Sequence, residues 1–213
     1  MRGVFVTGTD TGVGKTVVSA ALMARYPEAQ YWKPIQTGPD DDTSEVQRLS
    51  GCPRERVYLH GVRLPEPVSP HLAAERAHTR ISLSFLTKAA KEFSGSWIVE
   101  GAGGALVPVN QADLMVHLME RLGLPVVVVA RTTLGTINHT LLTIEALRAR
   151  NLLVAGVVMV GDPNPDNRAA IKHYGGVHVL GELPRFDPLT AEALSAWAEQ
   201  HLEADELMQE LLA

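Results

Sequence analysis

The chain reads as short apolar blocks separated by segments whose apolar residues recur every three to four positions. The blocks are "GVFVTG" (3–8), "QYWKP" (30–34), "WIVEG" (97–101), "PVVVVA" (125–130), "VAGVVMV" (154–160) and "VHVLG" (177–181). Several are apolar at almost every position, as expected of strands covered on both faces. The segments "SLSFLTKAAKEF" (82–93), "ADLMVHLMERLG" (112–123) and "INHTLLTIEALRARN" (137–151) carry helical periodicity, and a further helix is expected from Gly14 to Arg25. Strand and helix alternate, which predicts an α/β fold: a mostly parallel, doubly wound sheet with helices on both faces. Residues 34–81 break the rhythm. They are rich in Pro, Gly, Asp and Ser, and are expected to form a long functional excursion with helical pieces only. "PRFDPLT" (184–190) is expected to be an irregular loop before a carboxyl-terminal helix.

Composition sharpens this picture. The chain has 213 residues, 46% of them apolar, enough for one α/β domain over residues 1–213 with a substantial core. The net charge is −5 and there is no long basic run, which argues against nucleic acid as a partner. No apolar run approaches the roughly 20 residues of a membrane span, and Met1-Arg2-Gly3 leads straight into the first strand, so no signal peptide is expected. Cys52 is the sole cysteine, which excludes an internal disulfide. These features favour a cytoplasmic protein.

The candidate chemistry begins in "VFVTGTDTGVGKT". Strand, glycine-rich turn and Gly14-Lys15-Thr16 at a helix start form a phosphate cradle, in which backbone N–H groups and the helix amino end face an anion. Lys15 would reach terminal phosphates and the Thr16 hydroxyl would ligate Mg²⁺. Five residues separate Gly8 from Gly14, one more than the usual spacing. Asp10 occupies the place where partition-type ATPases carry a second lysine, so a switch ATPase is the weaker reading. In "YWKPIQTG", Lys33 ends a strand, where ligands collect in open α/β sheets; it is either a neutraliser of phosphate or carboxylate, or a solvated lysine. Replacing Lys33 by Ala is expected to leave folding little changed. Asp42 and Glu45 have capping-box spacing, so Asp42 either caps a helix or supplies a carboxylate to Mg²⁺, or the cluster Asp40, Asp41 and Asp42 forms a solvated turn. Glu100 closes an apolar run and is followed by Gly101, Ala102 and Gly103, a position suited to a metal-coordinating acid. Ser69 is a candidate N-cap with Pro70 behind it, and Thr136 or Asn138 is a candidate cap of the helix after "VVVVA".

Taken in order and spacing, "GTDTGVGKT", "KPIQTG", "SPH", "EGAGG" and "LGTINH" resemble the dethiobiotin synthetases, over roughly residues 3–186. The resemblance implies a homodimeric P-loop NTPase-like protein that uses MgATP and CO₂ on 7,8-diaminononanoate and is a ligase of biotin biosynthesis. It implies a triphosphate site from Gly12 through Val13, Gly14 and Lys15 to Thr16, flanked by Gly101, Ala102 and Gly103. It implies Mg²⁺ at Thr16, Asp42 and Glu100, and catalytic roles for Lys15 and Lys33. Thr11, Lys33 and Thr37 would face the substrate. Asn138 would hold the substrate's carboxylate tail across the dimer interface, and Pro184, Arg185 and Phe186 would flank the base or ribose. One departure stands out: the family's adenine-reading Asn after the strand 154–160 has no counterpart there, where Val160, Gly161 and Asp162 follow and Asn164 comes later.

Overall fold

In the computed structural model, described for residues 1–203 and 206–213, the apolar blocks become one seven-stranded sheet in which every neighbouring pair is parallel. Its main strands are β1 (Arg2–Gly8), β2 (Gln30–Trp32), β6 (Ser96–Gly104), β7 (Val126–Arg131), β8 (Val154–Val160) and β9 (Val179–Leu183), with β4 (Val57–Tyr58) at one edge. The order is β4-β2-β6-β1-β7-β8-β9. β1 is therefore flanked by β6 and β7, and the crossover direction reverses beside it. Ligands of open α/β sheets bind outside the carboxyl ends of the strands at such a reversal.

Alternation along each strand sends successive residues to opposite faces. On β2, Tyr31 joins one core with Val4, Val6, Ile98, Val127 and Val129, while its neighbour Trp32 joins the other with Phe5, Val99, Val126 and Val128. The first core is covered by α1 (Lys15–Arg25), α2 (Asp42–Ser50), α8 (Ala191–His201) and α9 (Glu206–Leu212). The second is covered by α3 (Pro70–Arg76), α4 (Leu83–Ala90), α5 (Met115–Leu122), α6 (Thr136–Arg148) and α7 (Pro165–Gly175). Val, Ile, Leu and aromatic side chains that are fully buried supply about 1.5–3 kcal/mol each against exposure, so both layers are needed.

Several local expectations need correction. Residues 34–81 are not helical pieces alone: β4 extends the main sheet, and β3 (Ile35–Thr37) pairs with β5 (Val62–Leu64) as a separate parallel ribbon. These strands are two or three residues long, too short for a period to register in the sequence. The first helix starts at Lys15, because Gly14 takes φ 98° and serves as its left-handed N-cap. Asp41, not Asp42, caps α2, accepting from the Ser44 backbone N–H. Neither Thr136 nor Asn138 caps α6; Gly135 does, with φ 93°, and the Thr136 hydroxyl donates back to the Arg131 carbonyl. Ser69 holds the N-cap position of α3 with Pro70 behind it, but its hydroxyl bonds His71 Nδ1 instead of a backbone N–H. The carboxyl-terminal region carries two helices, α8 and α9.

Candidate active site

The site grows from the joint between β1 and α1. After Gly8 the chain loops through residues 9–14, and α1 begins with no side-chain cap, so its first N–H groups are unclaimed by side chains and suit an anion. A Cβ on Gly14 would lie 3.1 Å from a Val160 methyl, so close packing as well as backbone conformation asks for glycine there. Asp10 braces the loop from within: one carboxylate oxygen accepts the Thr11 N–H at 2.7 Å, and its carbonyl accepts the Lys15 ammonium at 3.2 Å. Its other oxygen pairs with Arg131 at the end of β7, and Arg131 also donates to the Thr11 carbonyl. Arg131 carries no motif in the sequence and reaches the loop only because β7 lies beside β1.

Across the cavity, Lys33 stands between two carboxylates. Its Nζ is 2.6 Å from Asp42 Oδ2 and 2.7 Å from Glu100 Oε1, and it donates to the Gly101 carbonyl at 3.3 Å. The Lys33 side chain is 4% exposed and that of Glu100 is fully buried, so the solvated-lysine reading does not hold. Nor would replacement by Ala leave folding untouched, because two carboxylates would lose their counter-charge. The backbone that presents Lys33 is packed from behind by Gly61, where a Cβ would lie 2.8 Å from the Lys33 and Pro34 carbonyls. Glu100 also accepts from the Thr16 hydroxyl at 3.1 Å and from the Tyr31 hydroxyl at 2.9 Å.

The charges are tuned against one another. Burial works to lower the Lys33 ammonium, but Glu100 and Asp42 outweigh it and hold Lys33 above the ordinary lysine range. Lys15 goes the other way: burial first, and the Lys33 charge second, push it down, against the opposing pull of Glu100, Asp42 and Asp10. Two lysines with the same intrinsic chemistry thus differ because one has carboxylates in contact and the other does not.

These groups share one cavity of 380 Å³. Thr11, Gly12, Gly14, Lys15, Thr16, Lys33, Thr37, Asp42, Glu100, Ala102 and Gly103 all line it, with Asp40 from the acidic turn and with Val17 and Gln36, which sequence reasoning did not single out. Val13 is turned into the core, and Gly101 contributes its carbonyl to Lys33. The Gln36 Oε1 is buried with no protein partner among the described residues. Asn138 lies exposed on the first turn of α6, and Pro184, Arg185 and Phe186 follow β9; none of these four lines the cavity. Asn164 is committed to capping α7, accepting from the Asn167 N–H. A second, mainly apolar cleft of 390 Å³ shares Thr11 with the first and runs between Gly104–Pro108 and α6 at His139, Leu142 and Ala146.

A family model described as an AAA domain matches residues 2–193. An ATP-dependent dethiobiotin synthetase BioD from Paramagnetospirillum magneticum is 54% identical over 92% of this chain and 94% of its own length. The chain belongs to the ATP-dependent dethiobiotin synthetase family. A second synthetase of that name, from Rhodopseudomonas palustris, is 47% identical over 98% of both chains. Within the fold, the septum site-determining protein MinD complexed with Mg-ADP from Pyrococcus horikoshii superposes with a TM-score of 0.60 at 19% identity, covering 97% of this chain and 96% of that one. That likeness shows the shared P-loop architecture alone. Among the described residues no helix is long and apolar enough to cross a membrane.

Proposed function

We propose that this chain is a dethiobiotin synthetase of biotin biosynthesis. It carboxylates 7,8-diaminononanoate with CO₂, phosphorylates the carbamate with MgATP and closes the ureido ring, giving dethiobiotin, ADP and phosphate. The observation that carries this reading is the convergence of Thr11, Lys15, Thr16, Lys33, Thr37, Asp42 and Glu100 on one cavity. An amine of the substrate adds to CO₂, forming a C–N bond and releasing a proton. A carbamate oxygen then attacks the γ-phosphorus; the O–P bond forms as the bond to ADP breaks. The second amine attacks the carbonyl carbon, phosphate leaves with the electron pair of the C–O bond, and the ring closes with loss of a proton.

Carbamate and triphosphate are both anions, so the protein's work is positioning and charge neutralisation. One cation about 4 Å from an anion is worth on the order of 4 kcal/mol at a surface-like dielectric, so Lys15 and Lys33 together act on the scale of a catalytic barrier. Lys15 and the amide groups of Gly12 to Thr16 hold the phosphates; Thr11, Lys33 and Thr37 hold the carbamate end. Gly101, Ala102 and Gly103 bring backbone close to the phosphates, and Pro184, Arg185 and Phe186 flank the base or ribose.

The donor set fits a hard divalent cation. Thr16, Asp42 and Glu100 offer oxygen only, and the Lys33 ammonium between the two carboxylates is a positive charge standing in that place. Two carboxylates and a hydroxyl fall short of a full protein cage, which suits Mg²⁺, an ion that keeps waters and phosphate oxygens in its shell. When bound, Mg²⁺ would neutralise phosphate charge as the γ-phosphoryl group is transferred.

The substrate's alkyl chain fits the apolar cleft that continues from Thr11 towards α6. Leu106 and Leu142 are exposed along it, and Leu134 is exposed just before α6, which supports a homodimer in which Asn138 of one protomer holds the carboxylate tail bound to the other. The reading is tested by mixing protein, MgATP and bicarbonate with and without the diamine. ADP release that requires both supports it. Hydrolysis indifferent to both would fit a nucleotide switch instead.

A further inference from the structure

We propose that Tyr31 is a positioning residue for Glu100: its hydroxyl holds one carboxylate oxygen so that the other stays presented to the cation place. The proposal rests on the assignment of Glu100 to the divalent cation and extends it to a residue that does not line the cavity.

The ladder puts the two side chains together. Tyr31 on β2 is in register with Ile98 on β6, and both lie on the face that carries Val4 and Val6. Glu100, two residues beyond Ile98, returns to that same face, about 6.6 Å further along the strand. A phenol is long enough to span that step, and its hydroxyl lies 2.9 Å from Glu100 Oε2. The carboxylate is thereby partitioned. Oε2 belongs to Tyr31, while Oε1 accepts from Lys33 at 2.7 Å and from Thr16 at 3.1 Å. Both residues are fully buried, so no water competes for Oε2. A phenol carries its proton at neutral pH, so the Tyr31 hydroxyl is the donor in this bond.

This matters because the cation side of Glu100 must change partners. Lys33 donates to Oε1, the same oxygen that Glu100 would offer to a divalent cation held with Thr16 and Asp42, so the ammonium and the cation would compete for it. A carboxylate free to rotate about its terminal torsion, a broad two-fold well, would lose its aim during that exchange. Hydrogen-bond partners of ligating carboxylates typically govern metal affinity by ten- to a hundredfold.

Tyr31→Phe keeps the ring in the core and removes only the hydroxyl. Mn²⁺ is titrated into the ADP-bound protein and free Mn²⁺ is read by electron paramagnetic resonance. The variant is expected to bind Mn²⁺ about ten- to a hundredfold more weakly, with ADP affinity in EDTA unchanged. In turnover, the KM for Mg²⁺ rises while kcat at saturating Mg²⁺ stays near wild type. A merely structural role would lower the melting temperature and leave Mn²⁺ affinity alone, and unchanged Mn²⁺ affinity in the folded variant overturns the proposal. Should the variant fail to fold, 4-fluorophenylalanine at position 31 fills the space of the hydroxyl but cannot donate a hydrogen bond; unchanged Mn²⁺ affinity there overturns it equally. If wild-type protein with ADP binds no Mn²⁺, the cation assignment falls and this proposal with it. If wild type binds Mn²⁺ and the variants match it, Tyr31 alone is refuted.

Discussion

Two ion pairs in this molecule have the same length and opposite significance. Lys33 and Glu100 meet at 2.7 Å with side chains 4% and 0% exposed; Arg48 and Glu45 meet at 2.7 Å on the outer surface of α2, 56% and 41% exposed. The second joins neighbouring turns of one helix, is screened by solvent and contributes little. The first was assembled by folding from the residue after β2 and from β6, in a place where neither charge can be left alone. Distance does not separate them. Burial does, together with the number of partners that each group would abandon.

The largest test of that contrast is Lys33→Met. It should lower synthesis by roughly a hundredfold or more, as loss of a transition-state electrostatic contact does. In EDTA it should also cost about 3 kcal/mol of stability, because Asp42 and Glu100 lose their counter-charge, measured by denaturant unfolding. Part of that loss should return when Mg²⁺ is added, since the divalent ion replaces the missing ammonium. Unchanged unfolding in EDTA would erase the distinction between the two pairs.

Next in size is Asn138→Ala, on the exposed start of α6. Losing a hydrogen bond to a charged group costs about 1.5–3 kcal/mol, so diamine affinity should fall at least tenfold and ATP affinity stay put in separate calorimetric titrations. Equal weakening of both ligands would detach Asn138 from the substrate.

A subtler effect concerns the two lysines and pH. Lys33 lies above the ordinary value of 10.5 in the folded protein. Its contribution to stability is therefore fully present below pH 10.5 and lost only as pH climbs through the raised folded value. Lys15 lies below 10.5, so in the free protein it gives up its proton sooner. Nucleotide affinity should accordingly weaken with rising pH before 10.5, while Lys33 still holds its carboxylates. Calorimetry with ADP in EDTA between neutral and alkaline pH reads this directly, and a flat profile up to 10.5 would show that Lys15 is not depressed. At the bottom of the scale, Arg76→Gln removes the exposed pair with Glu66 and should move stability by about 1 kcal/mol or less in thermal unfolding.

The contrast also explains what could be read in the sequence. The long apolar blocks of β1, β6, β7 and β8 declared a parallel sheet, because covering both faces leaves a run of valines that nothing else requires. The phosphate loop was equally legible, being a local motif in one stretch of chain. Lys33, Asp42 and Glu100 could be singled out, but whether Lys33 was solvated and whether Asp42 was a cap stayed open, since both answers depend on which strands are neighbours. The ribbon of β3 and β5 was invisible because three residues carry no period. Tyr31 and Arg131 were missed for a related reason. Neither belongs to a motif; each acquires its role from the residue opposite it in the folded sheet.

The three charges at the centre of the cavity are mounted on two different supports. Lys33 and Glu100 leave adjacent strands of the large sheet, where Trp32 and Val99 are laddered together, so their spacing is inherited from a rigid lattice. Asp42 opens α2, which the chain reaches after β3, the first strand of the small ribbon. One wall of the cradle is therefore set by strand register and the other by the seating of α2, whose Val46 and Leu49 are fully buried, so a cavity made in the core beneath α2 would move Asp42 and leave the other two charges in place.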